Sequence, residues 1–415
     1  MKDKALLPNN GLTNHDGNNN PAKLTKKEVT ITVVLALLTA IEILSVDLYL
    51  PAFKAIADDF RASLGDVQLS LSIFLGGFAL GQLVWGTLAD RFGRKLPIIV
   101  GLFLYVVFSL VITSIHNVGM FWLLRFLQAF CGSAGVVIAR AIVSDVFDRH
   151  KTIKVFSLLG LIMGVTPIIA PSIGNMLLGS GTWHTNFVAM AATGMIVLVL
   201  VVLLLPETHL IRNTDANQAH RNKYKPIFEN RQFITYTLTA SMVYAGLLVF
   251  VSNSPFLIME KGQFTGTEYS LIFGLISVGI VFGSYSINYL VKYFDKHVIV
   301  KCVALLQALF ALFSVIMVLF GAPVPGLLIL IFFYLFLLGI LLPATADLAL
   351  EPFRSDSGKA SAIFGFVQLA VTFVILTIIG LVQDDSIMPM TVALLMCAVV
   401  SLVSSWFRGW KTKAS

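Results

Sequence analysis

The sequence predicts an all-α integral membrane fold: twelve transmembrane helices in two pseudo-symmetric six-helix bundles around a central cavity. Three observations predict it. Of 415 residues, 57% are hydrophobic and 12% charged, whereas a soluble domain carries about 25% charged residues. Apolar stretches of about 18 residues or more recur along the chain, each long enough to cross roughly 30 Å of hydrocarbon. A polar, basic stretch from Glu207 to Arg231 divides them six and six, as in a fold built from internal repeats.

The spans are expected at 29–53, 66–89, 96–115, 119–143, 152–178, 185–205, 232–257, 267–293, 297–320, 324–352, 357–382 and 388–408. Residues 29–206 then form the first bundle, 207–231 a cytoplasmic linker and 232–408 the second bundle. Residues 1–28 are polar and rich in Asn, Gly and Lys. They lack the apolar stretch of a signal peptide and read as a disordered cytoplasmic tail. Residues 409–415 read as a second tail.

The net charge of +7 sits mostly between spans and sets orientation. With the N-terminus inside, Lys26, Lys27, Arg91, Arg94, Lys95, Lys151, Lys154, Arg231, Lys292 and Lys296 all face the cytoplasm, and both tails with them. The outer loops keep Lys54, Arg61 and Lys261. This composition excludes a soluble nucleic-acid binder. Cys131, Cys302 and Cys397 lie in apolar runs without metal spacing and read as small packing residues.

An internal echo supports two related halves. Gly81, Leu88, Phe92 and Arg94 at the end of the second span align with Gly283, Leu290, Phe294 and Lys296 at the end of the eighth.

Gly86-Thr87-Leu88-Ala89-Asp90-Arg91-Phe92-Gly93-Arg94-Lys95 resembles the G-x-L-a-D-R-x-G-R-K loop of the major facilitator superfamily. Glycines permit close helix approach and a tight turn. Asp90 can cap a helix N-terminus. The arginines can pair with acids at neighbouring helix ends, Asp145 being the best candidate. Arg125-Phe126-Leu127-Gln128 resembles the R-x-x-Q-G element, with Ala129 in the glycine's place. Gly160 through Asn175 resembles the Gly/Pro-rich antiporter motif, with Ala170 and Asn175 where glycines stand. Leu205-Pro206-Glu207-Thr208 resembles the usual close of the sixth span.

Within the superfamily the chain resembles the drug:proton antiporter group, Bcr/CflA (bicyclomycin/chloramphenicol resistance) branch. Asp47 through Ala52, Ala139 through Val143, Ser254-Pro255-Phe256 and Ala349 through Phe353 carry that likeness. It implies the major facilitator fold in a bacterial inner membrane, working as a monomer.

Charges inside a bilayer cost several kcal/mol unless paired or hydrated. Glu42 and Asp47 lie in the first span, ~140° apart around a helix. Either can be a proton site or a cation site; the bland alternative is a fixed helix-locking ion pair. Arg125, in the fourth span, lies at nearly the depth of Asp47. It is expected to couple to that carboxylate, or else to form a static pair with Gln128 as second partner. Arg140, Asp145, Asp347 and Glu351 near the inner ends read as interfacial contacts. Tyr49, Gln128, Tyr244, Asn253, Ser254 and Gln368 are candidates to line the cavity near the midplane, and Pro255 to loosen an outer gate.

The expected function is proton-coupled export of an amphipathic small molecule by alternating access, with the proton gradient in place of a cofactor. An importer or symporter on the same fold is the alternative. A membrane receptor or enzyme is disfavoured: no nucleophile–base grouping or metal spacing appears, and Gly358-Lys359-Ala360 lacks the parts of a phosphate loop.

Overall fold

The computed structural model describes residues 24–208, 225–353, 357–383 and 386–406. The expected tails and much of the expected linker lie outside the described residues. The described part is helical throughout: α1 Lys26–Asp47, α2 Phe53–Phe60, α3 Leu64–Phe92, α4 Lys95–Ile112, α5 Val118–Val146, α6 Arg149–Ser180 and α7 His184–Leu204. There follow α8 Lys225–Glu229, α9 Arg231–Pro255, α10 Gly266–Leu290, α11 Lys296–Leu319, α12 Val324–Leu350, α13 Ser357–Val382 and α14 Met388–Trp406. Twelve helical segments are long and apolar enough to span a membrane, each within a few residues of its expected place. The exception is the first, which runs to Phe60 rather than ending near residue 53.

Polar caps start the helices where the sequence supplies them. Thr25 with Glu28, Ser63 with Asp66 and Thr265 with Glu268 form reciprocal capping boxes on α1, α3 and α10. Small residues then set how close the helices come. A Cβ on Gly81 would lie 2.5 Å from the Phe130 carbonyl on α5, and one on Gly283 would lie 2.1 Å from the Phe336 carbonyl on α12. The two glycines of the internal echo therefore do the same work in each half: they let α3 meet α5 and α10 meet α12 at backbone distance.

Across the halves, α3 packs on α13 and α6 on α10. Among the described residues, the polar links that join the halves cluster at one end. Lys54 Nζ lies 3.4 Å from Glu260 Oε1, Asn175 donates to Thr267 at 3.4 Å, and Ser270 donates to the Pro171 carbonyl at 3.2 Å. At the opposite end the ion pairs found among the described residues lie within a half: Glu28–Lys151 and Arg94–Asp145 in the first, Lys296–Asp347 in the second. The halves are thus pinned by polar links at the Lys54 end.

Candidate functional site

The first span is broken just after Asp47. Pro51 has no N–H, so the Asp47 carbonyl loses its α-helical donor. The Ala52 N–H bonds the Tyr49 carbonyl at 2.9 Å, not Leu48, and Leu50–Ala52 forms a 3-10 turn. Two consecutive carbonyls, of Asp47 and Leu48, therefore leave the helical ladder. Asn186 of α7 donates to the Leu48 oxygen at 3.0 Å. Beyond the turn, α2 carries the span on to Phe60.

Asp47 is 4% exposed, and among the described residues no hydrogen bond or ion pair to its side chain is found. Tyr244 of α9 lies within electrostatic range of Asp47, Glu42 and Arg140, and Tyr269 of α10 within range of Asp47. The first half thus brings the carboxylates and the second half brings the phenols. Glu42 is half-buried and feels the charge of Arg140. The two acids differ in one respect: Glu42 has a cation of its own bundle in its field, whereas none acts on Asp47; Tyr244 lies in the field of both.

Arg125 does not pair with Asp47 in this conformation. Its side chain is fully buried. It donates to Gln128 Oε1 at 2.6 Å and to the Ser45 carbonyl at 2.9 Å. The guanidinium carbon sits 4.3 Å from the ring centres of both Tyr49 and Phe74, a cation–π cage. Gln128 passes the chain on to Ser109 at 2.7 Å, and the Ser45 hydroxyl meets Tyr105 at 2.7 Å. Ser45 and Asp47 are two residues apart, about 200° around a helix, so equal depth does not bring Arg125 and Asp47 face to face.

The remaining lining candidates divide. Tyr244 and Gln368 are half-buried. Tyr49, Gln128, Asn253 and Ser254 are fully buried and held within their own bundles: Tyr49 by Ser70, Gln128 by Arg125, Asn253 by Val249 and Ser254 by Tyr269. A side chain that spends its polar atoms inside a bundle does not offer them to cargo; Asn253 does so only in part, since its Nδ2 donates while its buried Oδ1 has no partner. Arg140 and Tyr269 were absent from the expected set. Arg140, near an inner helix end, has only an interfacial signature in sequence, and Tyr269 has none.

At the Arg94 end the loop motif is a clamp. Arg94 Nη1 meets Asp90 at 2.6 Å and its Nε meets Asp145 at 2.9 Å. Burial works against that charge, but Asp145 and Asp90 more than offset it and raise the guanidinium's hold on its proton. Arg91 instead lies over the Phe92 ring. Asp90 does not cap the next helix, as the sequence suggested, because it belongs to the last turn of α3. Glu207 does so, accepting from the backbone N–H groups of Arg94 at 2.8 Å and Lys95 at 3.0 Å. Gly93 turns with φ +86°, and a Cβ there would lie 2.8 Å from Glu207. Gly86, by contrast, has only Val137 nearby, at 3.7 Å from a Cβ placed there.

Lys296 and Asp347 repeat the clamp in the second half at 2.5 Å, with the same 51-residue separation as Arg94 and Asp145. That pair is nearly half exposed, with side chains at 43% and 47%, and such pairs contribute about 0–1 kcal/mol. Arg94 is buried and bonds two acids. Arg94→Met is therefore expected to cost about 2 kcal/mol, seen as a lower melting temperature in detergent, while Lys296→Met changes it little. Equal effects would contradict the assignment.

Residues 35–376 match the model of the Major Facilitator Superfamily. An MFS-type transporter of Bacillus subtilis, YdgK, is 30% identical over 90% of this chain and 94% of its own length. A bicyclomycin resistance protein homolog of Haemophilus influenzae is 28% identical over 92% of this chain and 96% of its own. In structure, a D-xylose–proton symporter superposes with a TM-score of 0.78 at 15% identity, covering 91% of this chain and 96% of the other; at that identity the likeness speaks to fold alone. With the Gly86–Lys95 loop clamped as described and two six-helix halves, the chain belongs to the Major Facilitator Superfamily.

Proposed function

We propose that this protein exports an amphipathic small molecule across the bacterial inner membrane in exchange for protons, with Asp47 as the proton carrier. The observation that carries the reading is Asp47 itself: 4% exposed, unpaired among the described residues, at a broken helix and within electrostatic range of Tyr244 and Tyr269 of the other half. A carboxylate buried without a counter-charge is costly, and a proton is the simplest way to remove that cost. The family supplies the transport mode, and the likeness to a bicyclomycin resistance protein homolog supports a drug-like cargo.

The Arg94 end is the cytoplasmic one on this reading, since Lys26, Arg91, Arg94, Lys95, Lys151 and Lys296 gather there. The polar links that join the halves lie at the other end, so on this reading the protein loses a proton to the cytoplasm and takes up cargo from it when the Arg94 end opens. Cargo then favours closure there and release outside, where a proton loads again. The protein works as a monomer surrounded by lipid.

The test is transport of a fluorescent amphipathic drug in proteoliposomes under an imposed pH gradient. The expected result is drug movement against its own gradient, opposite to proton flow, and collapse on adding an uncoupler. Drug movement in the same direction as protons would reassign the protein as a symporter.

A further inference from the structure

We infer that Asn186 is a positioning residue for the proton site, acting through the backbone of the broken helix. The inference rests on the reading of Asp47 as proton carrier. The break frees the Leu48 carbonyl next to Asp47, and two helices of the same half close on that one oxygen. From α7, Asn186 donates to it at 3.0 Å. From α6, Gly174 presses against it so closely that a Cβ would sit 1.9 Å away. Gly174 leaves room for the carbonyl, and Asn186 replaces the hydrogen bond that the 3-10 turn removed.

The cost of Asn186 argues that this bond matters. The side chain is fully buried, and its Oδ1 has no hydrogen-bond partner. A buried amide oxygen left unpaired is unfavourable, and an apolar residue of the same size would avoid it. The benefit on the page is the donor to Leu48, which fixes the Leu48–Tyr49 peptide, one residue beyond Asp47, and through it the backbone from which the carboxylate leaves the helix.

The groups that could titrate with Asp47 are few. α1 itself brings Glu42. α5 brings Arg140, with Arg125 engaged behind Ser45, and α4 brings Tyr105 on that same side. α9 and α10 bring Tyr244 and Tyr269. α6 from Val155 to Ser180 and α7 from Thr185 to Leu204 contain no ionisable side chain. Asn186 can therefore alter proton coupling only through position, not through charge.

The test compares wild type, Asn186→Leu, Asp47→Asn and the double variant as full-length proteins in proteoliposomes. Transport of a fluorescent amphipathic drug is followed against internal pH. Asn186→Leu is expected to lower transport about tenfold, the size for a buried acceptor left unpaired, and to displace the pH of half-maximal transport by about one unit. In the Asp47→Asn background it should add nothing. A purely structural role would lower abundance or melting temperature and leave the pH profile in place, and that result overturns the proposal. If Asn186→Leu does not fold, Asn186→Ala, which removes the donor and adds no charge, replaces it; failure of both to fold assigns Asn186 to stability alone and overturns the proposal too. If Asp47→Asn keeps a wild-type response to pH, the reading of Asp47 fails first, whatever Asn186 does.

Discussion

Asp47→Asn is expected to abolish proton-driven transport, leaving about 1% of the wild-type rate or less, the scale for losing a positioned proton-transfer group. The substitution keeps size and polarity and removes only the titrating function. The site has room for that exchange, because no hydrogen bond or ion pair to the Asp47 side chain is found among the described residues. The amide can stay where the protonated acid would be. Folding, detergent stability and drug binding should therefore survive, while the dependence of binding on pH disappears.

Glu42→Gln is the internal control for that prediction. Glu42 shares its field with Arg140 of its own bundle, so its charge is partly compensated in place. Its loss is expected to slow transport only several-fold and to leave proton coupling intact. The pair of measurements is drug-induced proton release from purified protein, read with a pH-sensitive dye. Release lost in Asp47→Asn and kept in Glu42→Gln is the expected pattern. The reverse pattern moves the carrier to Glu42 and sinks the assignment.

The sequence exposed what depends on one dimension and hid what depends on packing. Twelve spans are visible because hydrocarbon thickness fixes the length of each apolar run. The Arg94–Asp145 clamp was readable for a similar reason: a basic loop and an acid at the next inner helix end have few other partners. The end of the first span was not. Pro51 reads as a kink or an end of the helix, yet a 3-10 turn absorbs the proline and α2 resumes the path. Depth along the spans puts Arg125 and Asp47 at a similar level, but the angle around each helix decides who meets whom. Gln128, one turn along α5, was the legible partner. Asn186 and Glu207 were invisible as actors, because each serves a backbone group on another helix that no side-chain pattern announces.

Arg125→Met is the second large effect, and its two parts should separate. Met fills most of the same slot between Tyr49, Phe74 and Phe187. It leaves Gln128 Oε1 and the Ser45 carbonyl unpaired, at about 1–3 kcal/mol each, and it loses a desolvated cation–π contact of about 2 kcal/mol. Against this, the substitution removes a fully buried cation that has no acid within ion-pair distance among the described residues, a relief of several kcal/mol. These terms nearly cancel, so the variant is expected to fold, with a melting temperature close to wild type. Transport is expected to fall tenfold or more, because the guanidinium that grips the Ser45 carbonyl, two residues from Asp47, is gone. Arg125→Lys distinguishes charge from geometry: lysine keeps the cation but cannot hold Gln128 and Ser45 at once while lying flat between two rings. It should fail nearly as badly as methionine. Full recovery with lysine would mean that positive charge alone is needed, and intact proton-driven transport in Arg125→Met would remove Arg125 from the mechanism.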